Sequence, residues 1–510
     1  MNDILWTPTK ERADASTMAE FERFLKDQRG LTFDDHNAMW EWSVTDLDGF
    51  WSAIWDYFDV QASAPYPTVI AKRQMPGAEW CPGAMLNYTD QIMKHVDSQP
   101  DGDALIVQSE TFGRKRLSWS ELRAQVASVA AHLRDMGVTK GDRVVAVLPN
   151  TETAMIAFLA TASIGAIWSL CAPDMGHVAI LDRFKQIEPK VLIAQDGYVH
   201  AGKTVDRREI LAGLEAALPS LVQCVTVPFV GDLPKGHMAW DSLLDRDAPY
   251  ESTQVPFDHP LWIVYSSGTT GNPKGATLTH HNILNNGYFV GESQLLTEKD
   301  RLVIPVPLYH CFGMVMGNLG CLSHGACVIY PAEGFEPEAV LRAVELERAT
   351  ALYGVPTMFI AELALPIFSD FDLSSLRTGI MAGAPCPIET MTQVNELMHM
   401  TEVEIAYGMT ETSPVSFQTR VDSPLDKRVS TVGTVHPHVE VKIIDADSGR
   451  ICSVQEMGEL CTRGYSVMQG YWQNPEATAT AIDDQGWMHT GDIAVMDSEG
   501  YVNIVGRIKD

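Results

Sequence analysis

The stretch Tyr265-Ser-Ser-Gly-Thr-Thr-Gly-Asn-Pro-Lys274-Gly275 places hydroxyl residues, glycines and one lysine within eleven consecutive positions. It directly follows the apolar run at 261–264, which is typical of a buried strand. Glycines let backbone N–H groups approach an anion, and the hydroxyls and the lysine add donors and positive charge. The pattern favours a loop that binds polyphosphate over an ordinary polar surface turn.

This loop differs from the other well-known phosphate-binding loop of nucleotide-binding proteins. That motif has a glycine immediately before its lysine and Ser or Thr immediately after it. Here Pro273 precedes Lys274 and Gly275 follows it. The sequence therefore predicts polyphosphate binding through a separate motif.

The composition sets limits on the protein class. A chain of 510 residues is too long for one compact core, so we expect about two to four domains. With 45% apolar and 20% charged residues, the composition is that of a globular protein. The net charge of −29, from 37 basic and 66 acidic residues, disfavours nucleic acid and anionic membranes as partners. A polyanionic ligand must therefore be held by local positive groups.

The cysteines and the apolar runs indicate where such a chain would reside. The nine cysteines show no Cys-x-x-Cys spacing, so neither a zinc ribbon nor a dithiol motif is predicted, and a reducing compartment is favoured. The N-terminal residues show no secretory signal, and no uninterrupted apolar run has the length of a membrane span. We expect a cytoplasmic protein without stable membrane insertion, and we predict no particular oligomeric state.

From residue 100 onward, short apolar runs alternate with helical patterns. Strand-like runs occur at 144–148, 190–194, 302–306, 326–330 and 377–381. Asn150 is a candidate N-cap for the helix that follows the first of them. This alternation predicts an α/β fold with two layered, mostly parallel sheets and flanking helices. After about residue 430 the pattern changes to strands and turns, which predicts a small antiparallel β subdomain.

These patterns suggest four parts. Residues 1–80 form a leading segment rich in aromatic residues, 81–270 a first α/β subdomain, 271–430 a second α/β subdomain, and 431–510 a β-rich subdomain. The tryptophans of the leading segment, including Trp51 and Trp55, are better explained by core packing than by ligand binding.

Seven further motifs follow the loop in order. They are Pro307-Leu-Tyr-His310, Gly383-Ala-Pro385, Tyr407-Gly-Met-Thr-Glu411, Gly458-Glu-Leu-Cys-Thr-Arg-Gly464, Tyr471-Trp-Gln-Asn-Pro475, Thr490-Gly-Asp492 and Gly506-Arg507-Ile-Lys-Asp510. The set resembles the adenylate-forming superfamily of acyl-CoA synthetases, luciferases and peptide-synthetase adenylation domains. The resemblance implies the large N-terminal domain of such an enzyme. It also implies a reaction in which a carboxylate attacks the α-phosphate of ATP to give acyl-AMP and pyrophosphate, and the thiol of CoA then displaces AMP.

Different parts of the chain resemble different members of that superfamily. Up to about residue 270 the chain is similar to acetoacetyl-CoA synthetase, as in the stretch Asp258-His-Pro-Leu-Trp262. From about 272 it is similar to medium-chain acyl-CoA synthetases, as in Leu308-Tyr-His-Cys-Phe-Gly313. One hypothesis is a chimeric chain, and the alternative is a natural branch of the family. Asp510 matches the family's hinge residue, so a missing C-terminal domain and impaired activity are expected.

The resemblance assigns phosphate and metal roles. Lys274, Thr269 and Thr270 would stabilise the phosphates, Thr410 would contact the α-phosphate, and Glu411 would bind Mg²⁺. A lone glutamate is usually only solvated, so its motif carries this assignment. The remaining loop residues expected at the nucleotide are Ser266, Ser267, Gly268 and Gly271.

The resemblance also assigns nucleoside and acyl roles. Tyr407 would stack on adenine opposite Gly383, Ala384 and Pro385, whereas Asp492 and Arg507 would bind the ribose. His310, Val355 and Gly408 would line the acyl channel, although His310 is nearly as well explained as a packed neutral histidine.

Two classes of function remain open. The first is an AMP-forming acyl-CoA synthetase that uses ATP, Mg²⁺ and CoA, and the second is a nucleotide-binding module with little activity. Leu308-Tyr-His-Cys-Phe-Gly313 offers no acidic residue for a substrate amine, which favours a simple carboxylic acid over an amino acid. Because acetate-specific relatives have tryptophan where this chain has Gly408, a medium-chain fatty acid is the expected substrate, with acetoacetate as the alternative.

Overall fold

The computed structural model describes residues 9–14, 16–60, 62–73, 79–109, 112–200, 202–266 and 273–508. The chain divides into two compact units, Met1–Leu86 and Asn87–Asp510. The first unit is helical, and its helices are Lys10–Asp14, Thr17–Phe24, the π-helical Leu25–Arg29, His36–Thr45 and Leu47–Tyr57. Strands Ile70–Lys72 and Glu79–Trp80 pair antiparallel. Aromatic rings such as Phe21, Phe50 and Tyr57 pack edge to face in its interior, as expected for a core.

The second unit contains three large sheets. The first sheet has eight strands in the spatial order Met238–Ala239, Gln223–Val227, Val191–Gln195, Arg143–Val147, Ile167–Cys171, Pro260–Ser266, Lys274–Thr279 and Gly470–Tyr471. Its strands are parallel up to Pro260–Ser266, and the last two pairings are antiparallel.

The second sheet has nine strands. Their order is Thr434–Val435, Val415–Gln418, Glu402–Gly408, Thr378–Ala382, Ala351–Gly354, Arg301–Val303, Cys327–Tyr330, Asp103–Ser109 and Gly113–Ser118. The six strands from Glu402–Gly408 to Asp103–Ser109 are parallel, and the edges are antiparallel. Parallel strands are covered by helices on both faces, which explains why Val328 and Ile329 are both fully buried.

The third sheet is entirely antiparallel. Its strands are Val439–Ile444, Gly458–Gly464, Met488–Met496 and Val502–Arg507. A separate two-stranded ribbon joins Gly197–His200 to Lys203–Asp206. The predicted fold class, two layered and mostly parallel sheets with a small antiparallel one, is confirmed.

Helices connect and cover these sheets. The α-helices are Tyr88–Met93, His95–Ser98, Trp119–Asp135, Glu152–Ser163, His177–Phe184, Arg208–Ala217, His280–Ser293, Gly320–Ser323, Pro337–Glu347, Pro356–Leu363, Ile388–Leu397, Leu425–Ser430 and Pro475–Ala481. Phe312–Leu319 is π-helical, and Trp240–Leu243, Phe368–Asp370 and Thr410–Thr412 are 3₁₀ turns. No helix within the described ranges is both long and apolar enough to cross a lipid bilayer.

The predicted helix cap at Asn150 is wrong. Thr151 occupies the N-cap position of Glu152–Ser163. The buried side chain of Asn150 instead donates to the carbonyl of Val306 at 2.9 Å and accepts from the amide of Leu308 at 3.1 Å. It therefore ties a loop of the first sheet to the segment of the second sheet that leads to His310.

The predicted domain limits at residues 80, 270 and 430 stay a prediction. The sheets themselves do not end at these positions, since Asp103–Ser109 belongs to the second sheet and Gly470–Tyr471 to the first.

Candidate functional site

A cavity of about 1000 Å³ lies where the three sheets of the second unit meet. Ser266 and Lys274 come from the first sheet, His310 and Glu411 follow strands of the second sheet, and Arg507 ends the third sheet. Carboxyl ends of parallel strands are the usual place for ligands in open α/β sheets. Seven of the predicted site residues line this one cavity: Ser266, Lys274, His310, Gly408, Thr410, Glu411 and Arg507.

The end of strand Pro260–Ser266 carries an unusual hydroxyl. Ser266 Oγ is buried, and among the described residues it has no hydrogen-bond partner. Five predicted loop residues, Ser267, Gly268, Thr269, Thr270 and Gly271, lie outside the described residues. A buried hydroxyl without a protein partner costs free energy unless a ligand or water supplies one. Its position at the cavity wall fits a phosphate oxygen.

Lys274, Tyr471 and Glu411 form a connected trio in the cavity wall. The ammonium of Lys274 lies 4.5 Å from the ring centroid of Tyr471, and the hydroxyl of Tyr471 donates to Glu411 Oε1 at 2.8 Å. Within the described part of the chain, no carboxylate pairs with Lys274. Burial and the nearby Glu411 charge raise the pKa of Tyr471, which keeps its hydroxyl protonated and donating. Neither Tyr471 nor any described carboxylate therefore neutralises Lys274, and its ammonium can meet an anion in the cavity.

Glu411 suits a divalent cation of the kind that accompanies ATP. Its side chain is buried at the cavity wall, and only Oε1 is engaged by Tyr471. Mg²⁺ commonly binds proteins through one or two carboxylates together with substrate phosphates. The residues present thus fit this ion.

Tyr407 and Asp492 lie immediately behind the wall. The hydroxyl of Tyr407 donates to Asp492 Oδ2 at 2.5 Å, and Arg507 Nε donates to Oδ1 at 3.0 Å. Burial and the Asp492 charge raise the pKa of Tyr407, so it remains a donor. The predicted adenine and ribose residues are therefore brought together.

The Gly383-Ala384-Pro385 turn follows strand Thr378–Ala382 and is exposed. Ala382 pairs with Ala406, so the turn begins at the same sheet edge as Tyr407. A Cβ on Gly383 would lie 3.3 Å from Cγ1 of Val355, which directly follows the neighbouring strand Ala351–Gly354. These residues lie beside the cavity but do not line it.

His310 and Gly408 contribute to the cavity wall in different ways. The surrounding protein lowers the pKa of His310, so its ring is neutral at physiological pH. Gly408 lacks room for any side chain, because an added Cβ would lie 1.8 Å from the carbonyl oxygen of Pro414. A tryptophan at this position could therefore fill an acyl channel only if the backbone at Pro414 shifted.

Sequence reasoning missed several wall residues. Tyr471 begins the motif Tyr471-Trp-Gln-Asn-Pro475, to which the sequence analysis assigned no role. The signal that could have identified it is an aromatic residue in a motif, since such a ring can pack beside a motif lysine. Glu459 and His489 line the cavity and contact each other at 3.0 Å, through Oε2 and Nδ1. Their proximity depends on strand pairing that no local motif specifies.

Two family models match the chain. The family model described as "AMP-binding enzyme" matches residues 92–472, and the model "Acetyl-coenzyme A synthetase N-terminus" matches residues 36–92. The chain belongs to the AMP-binding enzyme family. The members it resembles are acyl-CoA synthetases, ligases that use a carboxylic acid, ATP and CoA.

Individual relatives of this AMP-binding enzyme cover most of its length. YngI of Bacillus subtilis is 40% identical over 429 residues, which are 81% of this chain and 77% of that protein. The mitochondrial medium-chain acyl-CoA ligase ACSF2 of Bos taurus is 35% identical over 429 residues, which are 81% of this chain and 69% of that protein. The structure of acetoacetyl-CoA synthetase from Streptomyces lividans covers 100% of this chain and 80% of that one, with a TM-score of 0.85 and 32% identity.

These comparisons do not support a chimeric chain, because a single acetoacetyl-CoA synthetase structure matches it from end to end. The expected cytoplasmic location stays a prediction, since one relative is named as mitochondrial.

Proposed function

We propose that this AMP-binding enzyme is an AMP-forming acyl-CoA synthetase that activates a medium-chain fatty acid. The observation that carries the proposal is the Lys274–Tyr471–Glu411 trio, which places in one cavity wall a partly engaged carboxylate and an ammonium that pairs with no carboxylate among the described residues. This pair suits a magnesium-bound triphosphate, since the lysine meets phosphate oxygens and the carboxylate meets the cation.

In the first half-reaction, a carboxylate oxygen of the acid forms a bond to the α-phosphorus, and the bond between that phosphorus and the pyrophosphate oxygen breaks. Lys274 and the loop hydroxyls of Thr269 and Thr270 stabilise the charge on the departing pyrophosphate. Glu411 would hold Mg²⁺, which neutralises phosphate charge when bound. In the second half-reaction, the thiol sulfur of CoA bonds to the acyl carbon and AMP leaves.

The nucleoside would be held by groups that already interact. Asp492 has two acceptor oxygens, oriented by Tyr407 and Arg507, and each retains capacity for a ribose hydroxyl. The exposed turn at Gly383, Ala384 and Pro385 would cover the adenine from the side opposite Tyr407. Thr410, next to Glu411 in the wall, would contact the α-phosphate.

The acid-binding end favours a simple acid over an amino acid. The carboxylates in the cavity wall are Glu411, bonded to Tyr471, and Glu459, bonded to His489. Among the described wall residues, none is a free carboxylate beside His310 that could pair with a substrate amine. The similarity to proteins named as medium-chain acyl-CoA ligases supports a chain of about six to eight carbons, for which each buried methylene contributes about 0.8 kcal/mol. Acetoacetate is the second candidate, because the acetoacetyl-CoA synthetase structure matches the whole chain.

Trapping of acyl-AMP with hydroxylamine tests the proposal. The purified chain is incubated with ATP, Mg²⁺ and acetate, acetoacetate, hexanoate, octanoate or palmitate, and hydroxamate and pyrophosphate are measured. Hexanoate and octanoate should give the largest signals. Lys274→Ala should lower the rate by on the order of 10²–10³-fold, the usual cost of one preorganised charge contact. Lys299→Ala, an exposed lysine outside the cavity, is the matched control.

The possible outcomes separate the alternatives. Preference for acetoacetate would establish the second candidate, and activation of amino acids would refute the assignment to simple acids. ATP binding without any hydroxamate would identify a nucleotide-binding module. Weak turnover by these 510 residues stays a prediction, checked by adding CoA and quantifying the CoA ester by mass spectrometry.

A further inference from the structure

Three metal-binding side chains meet in the third sheet of the second unit. Glu459 Oε2, Cys461 Sγ and a ring nitrogen of His489 all lie within 4.8 Å of one another. Cys461 and His489 are direct cross-strand partners, and Glu459 is two positions from Cys461 on the same strand, so the pleat places all three on one face. The functions proposed for the cavity make no use of this cluster.

From this arrangement we infer that Glu459, Cys461 and His489 form a binding site for Zn²⁺ or a similar divalent transition metal. The inference is independent of the proposed synthetase activity. Carboxylate, thiolate and imidazole are the three protein ligands that Zn²⁺ takes most often.

The distances fit coordination at a single nitrogen. Nδ1 of His489 lies 3.0 Å from Glu459 Oε2 and 3.7 Å from Cys461 Sγ. Tetrahedral Zn²⁺, with bonds of about 2.05 Å to nitrogen and oxygen and about 2.3 Å to sulfur, separates its ligands by about 3.3 Å (N···O) and about 3.6 Å (N···S). For these two pairs the atoms need to move by only a few tenths of an ångström, and the Glu459 oxygen and Cys461 Sγ lie within 4.8 Å of each other.

The groups that contact the far sides of His489 and Glu459 are of the kind that orient metal ligands. The other nitrogen of His489, Nε2, lies 3.7 Å from Asp483 Oδ2, and the other oxygen of Glu459 accepts from the amide of Gly491 at 3.2 Å. Carboxylates that orient a metal-bound histidine from its far nitrogen are a regular feature of zinc sites.

The local charge balance favours a dication. Lys442, the cross-strand partner of Cys461, and Arg463 both lie 4.4 Å from the centroid of the Trp487 ring, and Arg463 is paired with Glu440. Glu459 and Asp483 are then two carboxylates facing the remaining cation of these two, Lys442, and metal binding would add the charge of the Cys461 thiolate. Because Glu459 and His489 line the cavity, the fourth coordination position would open towards it, as in zinc sites that bind water or ligand.

A second cluster in the same unit provides a matched control. Glu215, Cys224 and His237 are equally close to one another. There Nδ1 of His237 is engaged by the hydroxyl of Thr226 at 2.7 Å, and Nε2 contacts the exposed Glu215. This cluster has the same three residue types, but among the described residues the far nitrogen of its histidine is engaged by a hydroxyl and not by a carboxylate.

Titration with Co²⁺ tests the site directly. The purified chain, freed of metal with a chelator, is titrated with Co²⁺ near neutral pH, and the thiolate-to-cobalt absorption band is followed before Zn²⁺ is added as competitor. We expect one equivalent of Co²⁺ to produce the band and one equivalent of Zn²⁺ to remove it. Cys461→Ser should abolish the band and weaken Zn²⁺ binding by more than about 100-fold, the upper range for loss of an outer partner. Cys224→Ser should leave both unchanged.

A second variant covers the case in which Cys461→Ser disturbs folding. Glu459→Gln keeps the shape of a partly solvent-exposed side chain and should weaken Zn²⁺ binding by at least about tenfold. Circular dichroism of both variants without metal should match the wild type. A thiolate band that persists in Cys461→Ser, one that disappears in Cys224→Ser, or wild-type protein that binds no Zn²⁺ at micromolar concentration would each overturn the inference.

Discussion

Replacing Tyr471 by phenylalanine isolates one hydrogen bond in the cavity wall. The hydroxyl of Tyr471 donates to Glu411 at 2.8 Å, while its ring faces the ammonium of Lys274 at 4.5 Å. Phenylalanine keeps the ring and therefore most of the contact with the lysine. The substitution removes only the donor to the carboxylate.

The expected magnitude follows from the burial of both partners. A hydrogen bond to a charged group contributes about 1.5–3 kcal/mol to stability. Tyr471 and Glu411 are both buried, so solvent and salt screen the interaction little. We therefore expect Tyr471→Phe to lower the free energy of unfolding by about 1.5–3 kcal/mol.

Urea unfolding of a double-mutant cycle measures this energy. The cycle compares wild type, Tyr471→Phe, Glu411→Gln and the double variant, so that effects unrelated to the pair cancel. Tyr501 is the matched control: its hydroxyl bonds to the neutral Ser423 at 3.3 Å and Lys427 lies 4.9 Å from its ring centroid. Tyr501→Phe should cost less than about 1 kcal/mol. A coupling energy below about 0.5 kcal/mol between Tyr471 and Glu411 would refute the reasoning.

Three further predictions concern the cavity wall and its support. Gly408→Ala should lower the free energy of unfolding by about 1–3 kcal/mol, since the added Cβ would meet a backbone carbonyl. Gly334→Ala, where the added Cβ would stand in open space, should be neutral within about 0.5 kcal/mol. Equal urea unfolding midpoints for the two variants would contradict this reasoning. Asn150→Ala should cost about 2–4 kcal/mol, because it leaves a buried carbonyl and a buried amide unpaired, while Asn285→Ala, at a half-buried asparagine that bonds only within its own helix, serves as control; a loss as small as that of the control would show that water replaces the side chain. Burial raises the pKa of Glu404 to about 8, so the folded protein stays protonated while the unfolded chain ionises, and stability falls as pH rises from about 4.5 to about 8. Glu404→Gln should remove a decline of up to about 1.4 kcal/mol per pH unit in that window, and an unchanged slope between wild type and variant would show that Glu404 is already ionised in the fold.

The sequence predicted those parts of the fold that depend on local patterns. Apolar runs such as 144–148 and 190–194 each produced a buried parallel strand, because four or five consecutive apolar residues can be buried on both faces only inside a covered sheet. Lys274 and Glu411 were recognised because each stands in a dense motif. Their convergence on one cavity then follows from the motifs lying at the ends of strands that meet.

The contacts that the sequence did not predict depend on strand register and on backbone direction. Tyr471 meets Glu411 across 60 positions of sequence, and Cys461 meets His489 across 28. No periodicity within either segment reveals such pairings. Likewise, Gly408 reads as an open position in the sequence, but the strand pairing with Val415 turns its missing side chain towards the backbone of Pro414.

One irregularity of the third sheet links Asp492, for which we propose a role at the ribose, to the proposed metal cluster. Cys461 pairs with His489 and Glu459 pairs with Ile493, so one residue on the first strand is opposed by three on the second. The second strand therefore has two extra residues within 490–492, which form a bulge, and the φ of +71° at Gly491 suits glycine at this bend.

The bulge has consequences on both of its sides. Asp492 still pairs with Arg507 on the last strand of the sheet, and its carboxylate accepts from Tyr407 and Arg507. The amide of Gly491 donates in the opposite direction, to Glu459. Because Glu459 accepts from the amide of Gly491 in the bulge, an ion held by Glu459 and His489 would restrain the backbone next to Asp492. If Asp492 binds the ribose as we propose, metal occupancy would alter nucleotide affinity through these contiguous contacts.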